Sequence, residues 1–230
     1  MLELEALGCL MFDLVAEGLG FVRQEAVVLN DLTFVVAAGE PLAITGASGA
    51  GKTTLLDCLG GLLRPTTGRV QMGDFDVGAA TGRQVRRWRL RHVGMVFQFA
   101  ELLPELTLRE NTAMPLLLTG TPASSAYLRA AEALERLGLA PLGSRQPSQV
   151  SGGERQRAAI ARAIVAAPSL ILADEPTGSL NPALALEVAR LLVATAADLG
   201  AVLVLATHNP QVAALCPQNL DLASTIASLR

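Results

Sequence analysis

The sequence predicts an α/β fold with a mainly parallel sheet, and two observations indicate it. A glycine-rich stretch at residues 46–53 joins an apolar, strand-like run to a helical pattern. Helical patterns alternate with apolar runs again from residue 154 to residue 206. Strands that alternate with helices form parallel sheets, because each helix returns the chain to the same edge. We therefore expect a ligand site at the carboxyl ends of the strands.

The glycine-rich stretch reads GASGAGKT and fits the phosphate-binding pattern G-x-x-x-x-G-K-[ST]. The apolar run 41–45 before it predicts a buried strand, and residues 53–60 after it predict a helix. Backbone N–H groups and the positive end of the helix dipole meet in such a loop, which favours an anion. A chance glycine-rich turn is the alternative, and the flanking strand and helix disfavour it. We expect nucleotide phosphates to contact Gly46, Ser48, Gly49, Gly51, Lys52, Thr53 and Thr54.

Lys52 is the only lysine of the chain, and every other cationic side chain is arginine. A composition that has nearly abandoned lysine but keeps one here indicates that this amine is not easily replaced. We expect its ammonium group to contact the β- and γ-phosphates. The Thr53 hydroxyl is expected to bind Mg²⁺.

Composition limits the function classes. Hydrophobic residues make up 51% of the 230 residues and charged residues 17%. No apolar run reaches the roughly 18 residues that cross a bilayer. No basic residue precedes the apolar segment 6–12, so we expect no signal peptide and a cytoplasmic protein. Work at a membrane would then require an integral partner.

The net charge of −3 argues against a nucleic-acid partner, which requires a basic face. For the basic cluster around Trp88, a solvated helix face is favoured over a site for an anionic partner. The cluster around Trp88 consists of Arg83, Arg86, Arg87, Arg89 and Arg91.

The three cysteines, Cys9, Cys58 and Cys216, are far apart and predict neither a disulfide framework nor a metal site.

Upstream of the phosphate loop, residues 12–15 and 32–36 have strand-like patterns. Polar residues within 29–31 predict a turn before the second of these strands. Phe21 is an isolated aromatic residue in this region. It is either a core or edge residue of a strand or a platform on which adenine stacks, and the residues alone favour neither.

Beyond the loop, residues 69–72 and 93–97 predict short strands, the second of which ends at Gln98. From residue 102 to 149 the strand patterns stop, and helical spacing dominates 108–118 and 127–139. We interpret this segment as a helical insertion, with Ser124 or Ser125 capping its second helix and Gly138 closing it. The α/β pattern then resumes with predicted helices at 154–166 and 182–199 and buried strands at 169–173 and 201–206.

Polar side chains follow three of the predicted strands. Asp174, beside the phosphate loop, can hold Mg²⁺, and Glu175 can orient and deprotonate the water that attacks the γ-phosphate. Gln98 and His208 also end strand-like runs, from which their side chains can reach the γ-phosphate or that water. Each residue alone also fits a structural role, but together they indicate a catalytic site.

A second glycine-rich helix start lies at Ser151, Gly152 and Gly153. Ser151 can cap this helix, while the two glycines leave backbone N–H groups open to an anion. One ATP molecule needs only one such helix end. We therefore expect this end to serve the nucleotide of another copy, in a head-to-tail homodimer with two ATP molecules at its interface.

Over nearly the whole chain, these motifs resemble the ATP-binding subunits of ABC transporters. Residues 46–53 resemble the Walker A loop, 151–156 the signature motif, and 169–175 Walker B with its catalytic glutamate. Gln98 matches the Q-loop glutamine, His208 the switch histidine and Phe21 the adenine-stacking aromatic. Ser179 lies in the stretch 179–181, which matches the D-loop.

The resemblance implies a P-loop NTPase fold, namely one ABC-type nucleotide-binding domain with a mainly parallel sheet, an antiparallel β edge and an inserted helical subdomain. Residues 1–98 and 158–230 would form the core, and 99–157 the helical subdomain with the signature motif. The resemblance also implies hydrolysis of ATP with Mg²⁺. The implied catalytic residues are Glu175, His208 and Gln98, the metal ligands Thr53, Gln98 and Asp174, and further nucleotide contacts Phe21, Ser151, Gly152, Gly153 and Ser179.

Within the family, the runs 96–104, 114–117, 151–157 and 173–178 are similar to the lipoprotein-releasing and macrolide-exporting group. This likeness implies an ATPase on the inner face of the cell membrane, held there by an integral permease with a large external domain. Two rivals stay open. One is a cell-division-type ATPase that transmits force without transport, and the other is a soluble ATP-dependent clamp, which the lack of a basic face disfavours.

Two positions and the C-terminal tail depart from the family pattern. Val150 replaces the usual leucine before Ser151, a mild change of apolar shape. Asn181 replaces the usual aspartate of the D-loop, so we expect weaker coupling between the two ATP sites without loss of hydrolysis. The tail after Leu220 lacks the usual glycine turn, which suggests a different C-terminal edge.

Overall fold

The structure is a computed structural model that describes residues 12–222. Most of the predicted apolar segment 6–12, Cys9 and the residues after 222 lie outside this range. In order, the chain forms β1 (Leu14–Arg23), β2 (Ala26–Val36), β3 (Pro41–Thr45), α1 (Lys52–Leu59), β4 (Thr67–Met72), β5 (Phe75–Asp76), α2 (Gly82–His92) and β6 (Val93–Val96). There follow α3 (Leu108–Leu118), α4 (Ala123–Arg136), 3-10 helices at Ala140–Leu142 and Pro147–Gln149, α5 (Gly152–Ile164), β7 (Leu170–Asp174), α6 (Pro182–Asp198), β8 (Val202–Ala206), α7 (Pro210–Ala213) and β9 (Gln218–Asp221).

A five-stranded parallel sheet forms the centre of the molecule, in the order β6-β7-β8-β3-β9. Strands β7 and β8 are almost wholly aliphatic because helices cover both faces of a parallel sheet. Since all five strands run the same way, their carboxyl ends meet at one edge. The predicted parallel sheet is confirmed, and this edge carries the residues described below.

A separate antiparallel sheet has the order β2-β1-β4-β5. Arg23 pairs with Ala26, so Gln24 and Glu25 form a two-residue hairpin turn with φ values of 48° and 69°. The turn predicted at residues 29–31 is therefore wrong, because these residues lie inside β2. Asp31, with a φ of 46°, instead lies where the pairing of the two strands shifts register.

The segment between β6 and α5 is helical, as predicted. Its buried residues share one core with helix α5, including Leu108, Leu134 and Ile160. Helix α4 begins after Pro122, so the predicted caps Ser124 and Ser125 lie inside its first turn and do not cap it. Gly138, with a φ of 71°, closes the helix as predicted. Helix α5 runs without a break across the proposed subdomain boundary at 157/158.

The arginine-rich helix α2 packs through Trp88, whose ring stacks on that of Phe75 at a centroid distance of 5.1 Å. Arg89 donates a hydrogen bond to the Gly61 carbonyl oxygen at 2.8 Å. The other arginines of this helix are exposed, as the solvated-face interpretation requires: Arg83, Arg86, Arg87 and Arg91. Cys58 and Cys216 are buried free thiols. Between residues 12 and 222, no helix is both long and apolar enough to cross a membrane.

Candidate active site

The phosphate loop connects β3 to α1 at the carboxyl edge of the parallel sheet. Gly46, Gly49 and Gly51 have φ values of 142°, 80° and 95°, which disfavour residues with a Cβ atom. A Cβ at Gly51 would also lie 3.0 Å from the Val28 carbonyl oxygen. Gly51 precedes α1 without any side-chain cap, so the first N–H groups of this helix face the loop without a side-chain acceptor.

Lys52 lies at the start of α1 and is 9% exposed. Its Nζ donates to the carbonyl oxygens of Gly46 at 2.8 Å and Ala47 at 3.3 Å. A carboxylate oxygen of Glu175, Oε1, also lies 3.7 Å from it. The ammonium group is therefore held inside the loop, where phosphate oxygens could replace the neutral carbonyl acceptors.

Thr53 and Asp174 come together although 121 residues separate them. The Thr53 hydroxyl donates to Asp174 Oδ2 at 2.7 Å, and Gln98 lines the same cleft. Hydroxyl, carboxylate and amide oxygens are the hard ligands that Mg²⁺ prefers, so this donor set fits that ion. Burial raises the pKa of the nearby Asp57, and the charge of Asp174 raises it further, while Arg23 lowers it. A cation at this position would offset the local negative potential.

Glu175 follows β7 in a left-handed conformation, with a φ of 46°. Its N–H donates to the Ala206 carbonyl oxygen at 2.9 Å. His208 Nδ1 lies 2.9 Å from Glu175 Oε1, and the His208 N–H donates to Oε2 at 3.3 Å. Both His208, after β8, and Lys52, at the start of α1, are thus paired with Glu175 Oε1.

These side chains line one open cleft of about 930 Å³ at the sheet edge. The structure gathers most of the predicted residues there: Ser48, Gly49, Gly51, Lys52, Thr53, Thr54, Gln98, Asp174, Glu175 and His208. Gly46 lines a neighbouring cleft that shares His208. The sequence reasoning missed five lining residues: Arg23, Val28, Phe97, Phe99 and Glu101. Phe97 and Phe99 could have been identified from the sequence, because they lie on either side of Gln98.

Phe21 lies on β1, partly buried against the core shared by the two sheets. The guanidinium carbon of Arg23 lies 5.8 Å from the centroid of its ring. Arg23, but not Phe21, is among the residues that line the cleft. Adenine stacking on Phe21 stays a prediction.

The signature residues at the start of α5 do not line this cleft. Ser151 Oγ accepts from the Glu154 N–H at 3.3 Å, and both its N–H and its hydroxyl donate to Glu154 Oε2, at 2.7 Å and 2.8 Å. The two hydrogen bonds that Ser151 donates lower the pKa of the Glu154 carboxyl, and the bond from its backbone N–H has the larger effect. Within one chain, this helix end is occupied by its own capping box.

The turn after Glu175 contacts Gln98 and leads into helix α6. Ser179 Oγ donates to the Gln98 carbonyl oxygen at 3.2 Å. Gly178 lies against the Gln98 side chain, and a Cβ there would come within 2.8 Å of Nε2. Asn181 Oδ1 accepts the Leu184 N–H at 3.0 Å and caps α6. The residue that replaces the usual aspartate therefore still caps a helix.

Comparisons with known proteins agree with this geometry. A family model described as ABC transporter matches residues 29–178, more than half of the chain. The lipoprotein-releasing system ATP-binding protein LolD of Alcanivorax borkumensis is 47% identical over 86% of this chain and 87% of its own length. LolD of Nitratidesulfovibrio vulgaris is 45% identical over 86% and 85%. The methionine import ATP-binding protein MetN of Cereibacter sphaeroides is 45% identical, over 79% of this chain and 51% of its own.

Two solved structures share the fold. One is a dimeric ATP-binding cassette in a post-hydrolysis state, bound to ADP and Pi, with a TM-score of 0.79, 29% identity and coverage of 90% of this chain and 93% of its own. The other is a dimeric bacterial ABC transporter cassette, with a TM-score of 0.79, 30% identity and coverage of 91% and 94%. With the family match and the relatives, these neighbours confirm the expected P-loop fold. The chain belongs to the ABC transporter family and is one of its ATP-hydrolysing subunits.

Proposed function

We propose that this chain is the Mg²⁺-dependent ATPase of a lipoprotein-releasing type of transporter, and that it acts on an integral permease from the inner face of the membrane. The observation that carries the chemistry is the convergence of Lys52, Thr53, Asp174, Glu175 and His208 in one cleft. The similarity to LolD proteins over most of both chains supports the subgroup.

Thr53, Asp174 and Gln98 would hold Mg²⁺ in this cleft. When bound, the ion neutralises charge on the β- and γ-phosphates. The Thr53–Asp174 hydrogen bond of 2.7 Å supports this assignment, because it places two oxygen ligands next to each other. The few protein ligands suit an ion that keeps waters and phosphate oxygens in its shell.

Lys52 would exchange the carbonyl oxygens of Gly46 and Ala47 for β- and γ-phosphate oxygens, and so stabilise their charge. The Glu175 carboxylate would then accept the proton of the water that attacks the γ-phosphate. His208, 2.9 Å from that carboxylate, would hold it in place next to the γ-phosphate.

The second half of the site would come from another copy. Ser151, Gly152 and Gly153 lie outside the cleft of their own chain, and in a head-to-tail dimer they would cover the cleft of the partner. The neighbouring folds were solved as dimers, which supports this assembly. ATP between the two faces would hold the dimer closed, and hydrolysis would release it.

Apolar side chains beside Gln98 support a membrane-protein partner. Phe99 is 72% exposed and Leu103 is 43% exposed on the loop that follows β6. Exposed apolar residues next to a site commonly mark an interaction surface. We propose that a cytoplasmic helix of the permease packs here and receives the movement of the dimer.

The test is to replace the general base and to capture the partner. Glu175→Gln protein should bind ATP with the wild-type affinity and form a stable dimer, while turnover falls by about 100-fold or more. Captured with ATP on solubilised membranes from its source, it should recover a permease with a large external domain. Rapid hydrolysis by this variant would overturn the assignment of Glu175.

The captured partner also separates the rival functions. A permease that binds lipoprotein supports release, whereas one whose external domain binds a cell-wall enzyme indicates force transmission without transport. Recovery of no membrane protein would leave the ATPase chemistry intact and overturn the transporter proposal. The soluble clamp would then be tested by salt-sensitive nucleic-acid binding.

A further inference from the structure

The loop that carries Gln98, residues 97–101, is attached to helix α5 by two side chains. Gln156 Nε2 donates to the Phe97 carbonyl oxygen at 2.9 Å. The guanidinium group of Arg162 donates to the carbonyl oxygens of Ala100 and Glu101 at 2.9 Å and 2.7 Å. The two donors lie about 9 Å apart along one helix. They therefore hold the loop at both of its ends.

The loop has a backbone conformation that needs such support. Ala100 and Glu101 have φ values of 62° and 46°, in the left-handed region that residues with a Cβ atom disfavour. The planar guanidinium group of Arg162 spans both carbonyl groups with two separate N–H donors. Its pKa is lowered by burial and raised by Glu101, so the charge is held in a poorly solvated position. Gln156 is 1% exposed.

The attached elements belong to different parts of the ATP site. Ser151 caps α5, and that helix continues through Gln156 to Arg162. Ser179 Oγ donates to the Gln98 carbonyl oxygen from the turn that follows Glu175. The loop is thus bonded both to the helix that carries Ser151 and to the turn beside the general base. None of the donors touches the cleft itself.

We propose that Gln156 and Arg162 are positioning residues that make the 97–101 loop and helix α5 move as one body. The family resemblance implies that Gln98 couples the metal site to the helical subdomain, and these two side chains would carry that coupling to Ser151, which covers the nucleotide of the second copy. This inference rests on the proposed roles of Gln98 and Ser151. It assigns to one buried and one partly buried side chain, both outside the cleft, control over dimer closure rather than over ATP binding.

The experiment compares ATP binding with ATP-driven dimerisation in the Glu175→Gln background. Arg162→Lys keeps the charge but cannot span both carbonyl groups, and Gln156→Met keeps the shape but removes the donor. Each variant should bind ATP within about twofold of its parent and dimerise about tenfold more weakly. With Glu175 intact, kcat should fall while KM changes little. Gln156→Met should fold readily, because the Phe97 carbonyl oxygen keeps the Ala100 N–H at 3.2 Å.

Arg129→Lys is the matched control, because Arg129 donates to a carbonyl oxygen at the end of the same helix, that of Val165, at 3.0 Å. It should lower the melting temperature as the test variants do but leave dimerisation unchanged. If Arg162→Lys and Gln156→Met dimerise like Arg129→Lys, the inference is wrong. If the Glu175→Gln parent itself fails to dimerise with ATP, the proposed function fails instead.

Discussion

The two glycine-rich helix ends of this chain differ in what their first turns contact. Helix α1 begins after Gly51, in a left-handed conformation, with no side-chain cap and the Lys52 ammonium group beside it. Helix α5 begins after an extended Ser151, whose hydroxyl and N–H are paired with the Glu154 carboxylate. The first end presents open donors and a positive charge, while the second carries its own anion.

This difference predicts an order of events. Phosphate binds readily at α1 because no internal acceptor has to be displaced from its N–H groups. At α5 a phosphate must first compete with Glu154 for Ser151, so binding there is weak unless a second copy presents an ATP molecule already held by its own α1. We therefore expect each chain to bind its nucleotide first and to dimerise afterwards.

The largest effect should come from the open end. Lys52→Ala removes the ammonium group that offsets phosphate charge, so ATP affinity should fall by about 100-fold or more in isothermal titration. Thermal unfolding monitored by circular dichroism is the control for a folded chain. Affinity within threefold of the wild type would show that the two helix ends do not differ as described.

An intermediate effect should come from the capped end. Ser151→Ala should leave ATP binding to the single chain unchanged and weaken ATP-driven dimerisation about tenfold, measured by size-exclusion chromatography in the Glu175→Gln background. The matched control is Thr107→Ala, since Thr107 forms the same capping box with Glu110 at the start of α3. Both variants should lose similar stability, about 1 kcal/mol, by loss of a cap. Equal dimerisation by the two would contradict the role of Ser151.

The smallest effect concerns acid stability. Hydrogen bonds from Ser151 lower the pKa of Glu154, and those from Thr107 lower the pKa of Glu110. A lowered carboxyl pKa contributes stability that is present above the ordinary value of 4.5 and is lost as pH falls through the folded-state pKa. Below pH 4.5 the melting temperature of Glu154→Gln should therefore fall less than that of the wild type. The difference should be only about 1 °C, because the Glu154 carboxylate is exposed.

The control for this measurement is Glu110→Gln, which should flatten the decline to the same degree because the two boxes have the same chemistry. If the melting temperature of the wild type falls no faster in acid than that of either variant, the pairing of these carboxylates is wrong.

The sequence predicted the site better than it predicted the turns, for a physical reason. Asp174 ends the aliphatic strand β7, while Lys52 and His208 follow β3 and β8, so the parallel topology alone places all three at one edge. The hairpin turn at Gln24 and Glu25 has two positive φ values without glycine or asparagine, and no turn signal marks it.

The misplaced turn at 29–31 has a related cause. Asn30 and Asp31 are typical turn residues, yet here Asp31 occupies a shift of register inside β2. The contacts of Arg162 and Gln156 with the 97–101 loop could not be predicted either. They join residues about 60 positions apart, 59 for Gln156 and Phe97, and no local pattern reports which carbonyl group a buried side chain reaches.

Lys52 also gives the chain a property that matters for chemical labelling. No other lysine in the 230 residues competes for a reagent that acylates side-chain amines. Its Nζ is buried and donates to the carbonyl oxygens of Gly46 and Ala47. The rate at which this one amine is acylated therefore reports the state of the phosphate loop directly. A lysine-specific protease likewise has one peptide bond to cut after a lysine, the one that follows Lys52 in the first turn of α1.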